Sequence, residues 1–188
     1  MEALAALRTG MGTMKLEELR RLSMRLEQAD FALEHPWPQF VPVRIVEGEL
    51  QDGRRGAGAT LIHDAVLDQA VSLKPNRVVR VHKSSHSGGL ALRQYIVGRG
   101  AEADITLADY TISKLHARLT VDTRGRVERI TDLQSTNGTW VDRKRLPPGG
   151  SARIESGQEV RFGRLELVYL DAKGLWEYLR DAKPFLRF

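Results

Sequence analysis

Two polar clusters, Ser113-Lys114-Leu115-His116 and Ser135-Thr136-Asn137-Gly138, interrupt stretches that otherwise read as strands. Side chains of these types suit three kinds of chemistry: nucleophilic catalysis, metal ligation or capture of an anion. For catalysis, Ser113 and His116 would supply nucleophile and base, with Asp109 or Asp132 orienting the imidazole. The arrangement argues against it. No G-x-S-x-G elbow is present, and a serine and a histidine three residues apart at a strand entrance need not face each other. Metal ligation fares no better: the 5 histidines are scattered, without acidic or histidine partners at ligand spacing. No metal and no cofactor is expected, and the chain does not read as an enzyme. Anion capture fits the residue types. A phosphate on a peptide carries close to two negative charges and three acceptor oxygens. Gripping it takes a guanidinium for paired hydrogen bonds, small hydroxyls and backbone N–H groups, held on loops at one edge of a rigid scaffold. Arg99 stands just after a strand-like run, Ser113 and Lys114 in the next long loop, Thr136 and Asn137 in the one after.

The scaffold is read from periodicity. From about residue 76, short apolar runs follow one another: VVRVH, QYIVG, ITL, HARLTV, RVERITDL, GTWV, ARI, EVRF and LELVYL. Many alternate apolar with polar residues, as half-buried antiparallel strands do. Turn signals such as His86-Ser87-Gly88-Gly89, Thr123-Arg124-Gly125 and Pro147-Pro148-Gly149-Gly150 separate them. That density of short strands predicts a β-sandwich. GLWEYLRDAK, from Gly174, returns to helical periodicity with Leu175, Trp176 and Leu179 as its buried face. At the other end Leu16, Leu19, Leu22, Leu26, Ala29 and Leu33 recur at helical steps, Thr13 is placed to cap them, and His35-Pro36-Trp37-Pro38 ends the helix. This leucine stripe either docks on the rest of the chain, the preferred reading, or pairs two copies. Between the two, Phe40 to Leu50 reads as a strand, QDGRRGAGA as a loop and Leu61 to Leu73 as a short helix. The expected organisation is a helical extension over 1–38, a linking segment of mixed structure over 39–75, the sandwich over 76–182 and a tail over 183–188.

Composition narrows the partners. With 41% hydrophobic and 28% charged residues the chain is globular, not disordered. The absence of cysteine excludes disulfides and thiolate metal sites and fits a reducing compartment. No run approaches the roughly 20 apolar residues of a membrane helix, and no cleavable leader is evident, so a cytoplasmic protein without membrane contact is expected. A net charge of +5 suits anionic partners. Nucleic acid is not favoured: the densest basic run, Arg143-Lys144-Arg145, lacks interleaved aromatics and reads as a solvated hairpin tip.

Taken in order, Gly98-Arg99, Asp104-Ile105, Ser113-Lys114-Leu115-His116, Asp132-Leu133, Ser135-Thr136-Asn137-Gly138-Thr139, Gly157, Phe162 and Gly163 resemble the forkhead-associated (FHA) family of phosphothreonine-binding modules. The resemblance covers about residues 76–182. It implies a mainly β fold: an antiparallel sandwich of two twisted sheets with a C-terminal helix, to which this chain adds the N-terminal helical extension. It also implies a site. Arg99 would clamp the phosphate, Ser113 add a hydroxyl, Lys114 a charge and a backbone N–H, and Thr136 would face the phosphate too. Asn137 would bond the peptide backbone, while Gly98, His116 and Gly138 would build the loops, Gly138 through a turn of positive φ. The implied partner is a threonine-phosphorylated protein or peptide, a Ser/Thr kinase or its substrate. The alternative is a phosphate-independent scaffold that forms homodimers through the N-terminal helix. Thr9 or Thr13, once phosphorylated, is a candidate for capture by another copy. Two departures stand out. Asp142-Arg143 occupies the place of the family's Asn-Gly hairpin turn, which predicts a changed turn type, and Gln158 follows Gly157 where aspartate is common.

Overall fold

Apolar–polar alternation resolves into two packed sheets in the computed structural model, which describes residues 13–46, 77–81 and 93–181. The readings for Leu61 to Leu73, for Thr9 and for the tail at 183–188 lie outside the described residues. In chain order the elements are β1 (Thr13–Lys15), α1 (Leu16–Arg25), α2 (Gln28–Glu34), β2 (Gln39–Ile45), β3 (Arg77–Arg80), β4 (Arg93–Gly98), β5 (Ile105–Thr106), β6 (Ala117–Val121) and β7 (Val127–Asp132). They continue with β8 (Thr139–Val141), β9 (Lys144–Arg145), β10 (Ser151–Arg153), β11 (Glu159–Phe162), β12 (Leu165–Leu170) and α3 (Ala172–Arg180). One sheet runs β1-β3-β2-β12-β11-β8-β9, the other β10-β7-β6-β4-β5. Every pair is antiparallel except β4–β5, which is parallel over Val97–Ile105 and Gly98–Thr106. The antiparallel sandwich carries this one parallel pairing at its edge, where loop 99–104 brings the chain back level with Val97 before β5 runs the same way as β4.

Strand alternation fills the space between the sheets. Val97, Leu119 and Ile130 from the five-stranded sheet meet Phe40, Val160, Phe162, Leu167 and Tyr169 from the seven-stranded one. Burying an aromatic or aliphatic side chain of this size contributes about 1.5–3 kcal/mol, so this layer holds the two sheets in one relative position. Tyr169 also reaches across, its hydroxyl accepting the Val127 N–H at 2.9 Å.

A second, smaller core lies on the outside of the seven-stranded sheet, where Leu16, Leu19 and Phe31 pack with Val41, Val78, Leu170, Leu175 and Leu179. The leucine stripe thus docks on its own chain. It is not one helix: Leu26 and Glu27 are extended, with φ −106° and −66°, and split it into α1 and α2. The break turns Leu33 outward, 80% exposed. Thr13 does not cap α1. It lies in β1 opposite Val79, and the helix starts after Lys15 with no side-chain cap. The C-terminal helix begins two residues earlier than periodicity indicates, since Asp171 caps it by accepting the Gly174 N–H at 2.7 Å.

The segment read as a linker begins inside the sandwich. Residues Gln39–Ile45 form β2, paired on one side with β12 and on the other with β3. Strand pairing therefore crosses the boundary expected at residue 76.

Candidate functional site

Three loops leave the five-stranded sheet and its neighbour β8 at one end: 99–104 after β4, 107–116 before β6, and 133–138 between β7 and β8. Backbone hydrogen bonds tie the first to the second. The Arg99 N–H donates to the Ser113 carbonyl at 3.0 Å and the Gly100 N–H to that of Lys114 at 3.1 Å. So close an approach needs glycine at position 98, where an added Cβ would lie 2.0 Å from the Lys114 oxygen. Side chains tie the second loop to the third. Ser113 Oγ accepts the Thr136 N–H at 3.0 Å and lies 3.4 Å from Thr136 Oγ1, while Asn137 Nδ2 donates to the Thr111 carbonyl at 2.8 Å.

His116 fastens the same junction. The imidazole is fully buried; its Nδ1 accepts the Ser113 N–H at 3.1 Å and its Nε2 lies 3.0 Å from the Gly138 carbonyl. Those contacts assign an Nε2–H tautomer, neutral, with both nitrogens engaged. Burial holds its pKa below the usual histidine value, although the Gly138 carbonyl and Asp132 act in the opposite direction. The Ser113–His116 catalytic pairing is thereby ruled out: Nδ1 faces the serine's backbone N–H, and Ser113 Oγ is turned to Thr136.

Two buried carboxylates brace the loops from beneath. Asp132, 2% exposed, accepts the Ser135 N–H at 3.1 Å and hydroxyl protons from Ser135 and Thr139 at 2.5 and 2.7 Å. Asp109 accepts the Thr111 N–H and hydroxyl at 2.9 and 2.6 Å, and Arg164 Nε at 2.9 Å. Arg164 also donates to the Tyr110 hydroxyl at 3.1 Å and lies 4.4 Å from that ring's centre. Sequence reasoning considered both aspartates as orienters of a catalytic histidine, counted Asp132 in the family resemblance without giving it a role, and missed Arg164. Asp109-x-Thr111 carries a readable signal, since a short side chain that hydrogen-bonds two residues on is ordinary turn chemistry. Arg164, 55 positions away, carried none.

The structure accordingly draws the named residues to one end. Arg99, 8% exposed, and Asn137, 6% exposed, are embedded in the rim; Ser113 is half-buried, and Lys114 and Thr136 lie open to solvent. Gly138 has φ +82°, as a glycine turn requires, and its Cα faces the Arg145 side chain.

The hairpin that follows keeps its turn type. Asp142 and Arg143 both take positive φ, 45° and 65°, the pair a tight two-residue turn between β8 and β9 demands. The expected change of type does not occur, because the turn is held from outside. Asp142 accepts Gln158 Nε2 at 2.6 Å and the Glu159 N–H at 3.0 Å, and Gln158 Oε1 accepts the Glu155 N–H at 2.7 Å. The two departures noted in the sequence are thus partners: an acid at 142 is met by an amide at 158.

A two-sheet sandwich that knots three polar loops around a buried histidine, beneath an arginine and two hydroxyls, has the build of a ligand-binding module. The chain belongs to the FHA-domain family: the family's model matches residues 95–163. It is 38% identical over 139 residues to the oxoglutarate dehydrogenase inhibitor of Corynebacterium efficiens, an alignment covering 72% of this chain and 92% of the relative. The glycogen accumulation regulator GarA of Mycolicibacterium smegmatis is 38% identical over 73 residues, 39% of this chain and 43% of that protein. Among solved structures, the FhaA FHA domain complexed with the intracellular domain of a second protein aligns at 30% identity and a TM-score of 0.37, covering 46% of this chain and 89% of that one. No helix among the described residues is long and apolar enough to cross a membrane.

Proposed function

We propose that this chain is a non-catalytic regulator that binds a threonine-phosphorylated protein or peptide in the cytoplasm, the partner being a Ser/Thr kinase or its substrate. One observation carries the reading. Loops from separate stretches of chain converge so that Ser113 Oγ lies 3.0 Å from the Thr136 N–H, with the Arg99 backbone bonded to Ser113 at the same distance. In this reading the Arg99 guanidinium forms paired charge-assisted hydrogen bonds with the phosphate. Ser113 and Thr136 contribute hydroxyls, Lys114 a charge and a backbone N–H, and Asn137 holds the peptide backbone. Gly98, His116 and Gly138 keep the loops in register. The relatives' names, an enzyme inhibitor and an accumulation regulator, support regulation over catalysis.

The test is titration of fluorescent phosphothreonine peptides against their unphosphorylated twins by anisotropy. A Kd on the order of micromolar, about −8 kcal/mol, is expected for the phosphorylated form. Arg99→Ala should weaken it at least about ten-fold, since each charge-assisted bond contributes roughly 1.5–3 kcal/mol. Phosphoserine should bind several-fold more weakly than phosphothreonine, because a buried methyl contributes about 1 kcal/mol. Equal affinity for phosphorylated and bare peptides would overturn the proposal. The phosphate-independent alternative, dimerisation through the N-terminal helix, has less to work with: Leu16 and Leu19, 5% and 0% exposed, are already consumed against α3 and the sheet.

A further inference from the structure

Among the described residues, the outer face of the seven-stranded sheet is covered at one end only. The helical layer lies over Val41, Val78 and Leu170. Beyond it, strand register aligns one residue from each of five neighbouring strands in a single row: Arg44, Glu166, Arg161, Trp140 and Arg145. Glu166 is 6% exposed and held by Arg44 through contacts of 2.7 and 3.2 Å. Arg161 lies 3.5 Å from the centre of the Trp140 ring, and Arg145, from the strand on the indole's other side, 5.2 Å. The row itself therefore holds one carboxylate to three guanidiniums; Glu159, on the same face, lies 3.7 Å from Arg143, and neither Arg145 nor Arg161 has a hydrogen-bonded carboxylate among the described residues. Burial holds the Arg161 pKa below its ordinary value; Arg44 and Arg145 push the same way, against Glu166. A further anion on this face would relieve that crowding.

The row also has a direction. It ends against the candidate site, for a Cβ on Gly138 would meet Arg145 Nε at 2.6 Å. The Arg145 side chain thus rests on the loop that carries Thr136 and Asn137.

We propose that this row is a docking track for an acidic segment of the partner, continuous with the phosphothreonine rim. The proposal rests on the proposed function and adds a partner class: a polypeptide whose phosphothreonine is flanked by aspartate or glutamate. Four strand spacings of about 4.8 Å make a track of about 19 Å, which an extended chain at about 3.3 Å per residue covers with about six residues. A guanidinium stacked on an indole is held by its flat face, leaving its in-plane N–H groups for the fork-to-fork pairing a carboxylate offers. A nucleic acid is a poorer occupant. Guanidiniums take the indole's faces, so no base can stack there.

The experiment uses fluorescein-labelled phosphothreonine peptides carrying a six-residue Glu/Asp block on either the N- or the C-terminal side, or a Gly/Ser block, together with all unphosphorylated versions. For the full chain at about 50 mM salt, one acidic arrangement should bind about ten-fold more tightly than the Gly/Ser phosphopeptide, and raising the salt to about 500 mM should remove the gain. Arg161→Gln, and separately Arg145→Gln, should cut the gain to two-fold or less. No gain from either arrangement, or a gain that survives both substitutions, overturns the track. Competition by a 12-nucleotide single strand as strong as that by the acidic peptide overturns the choice of polypeptide. Failure of the phosphothreonine reading shows elsewhere, as equal affinity for the Gly/Ser peptide with and without phosphate. In that event the bare acidic peptide still decides the track: binding lost in both variants upholds it, and no binding refutes it.

Discussion

The loop rim and the helical layer sit on opposite sides of the same sandwich logic. At the rim, the buried polar groups that brace the loops are bonded to one another: Asp132, Asp109, Thr111, Ser135, Thr139 and His116 all have hydrogen-bond partners. In the helical layer the bond is apolar, Leu19, Phe31, Leu175 and Leu179 against the sheet. One polar group caught there, His35, is 3% exposed with neither ring nitrogen hydrogen-bonded among the described residues. A hydrogen bond has a direction and fixes loops relative to one another. Hydrophobic contact has none, and serves to attach one layer to another. The rim is built to position, the layer to cover.

That contrast can be broken at several points. The largest effect is expected from Asp132→Ala, which strands three buried donors at once. Urea denaturation should show a loss of roughly 4 kcal/mol or more, each bond to a charged acceptor contributing about 1.5–3 kcal/mol, and phosphopeptide binding should vanish. Leu19→Ala should cost about 3 kcal/mol through the cavity it leaves, yet phosphopeptide affinity should stay within two-fold of wild type. A matching loss of affinity would mean that the helical layer helps to position the rim.

Acid should expose the two histidines. Burial is the main cause that holds both His35 and His116 below 6.5, with Arg80 reinforcing it at His35 and Glu34 opposing. Below 6.5 the unfolded chain takes up protons that the folded chain refuses, so stability declines as pH falls through that window and is regained as pH rises to neutrality. Melting temperatures from pH 5 to 7.5 measure it. The smallest change expected is a gain: His35→Leu removes an unpartnered buried imidazole and should raise stability by about 1 kcal/mol while making the acid slope shallower. Unchanged acid sensitivity in His35→Leu would show that His116 alone carries it.

Much of this was legible in the chain itself. Alternation over QYIVG, HARLTV and LELVYL announced strands; Arg99, Ser113, Lys114, Thr136 and Asn137 were named from residue type and order, and Gly98 from the resemblance to the FHA family. Other features were hidden for definite reasons. The break at Leu26–Glu27 carries no glycine or proline, so the leucine period ran straight through it. The turn at Asp142-Arg143 looked unsuited to positive φ, because the Gln158 amide that steadies it is 16 residues away.

Local rules of propensity and period, together with the order of Arg99, the Ser113 loop and the Thr136 loop, determined from the sequence alone that the chain makes a strand-rich sandwich with polar loops. Which side chains meet was a matter for three dimensions. That Arg164 braces Asp109, that β2 enters the sheet beside β12, and that Arg44, Glu166, Arg161, Trp140 and Arg145 form one row depend on strand order and register. Pairing between distant strands is set by the closure of the whole core, and no single window of sequence contains both partners.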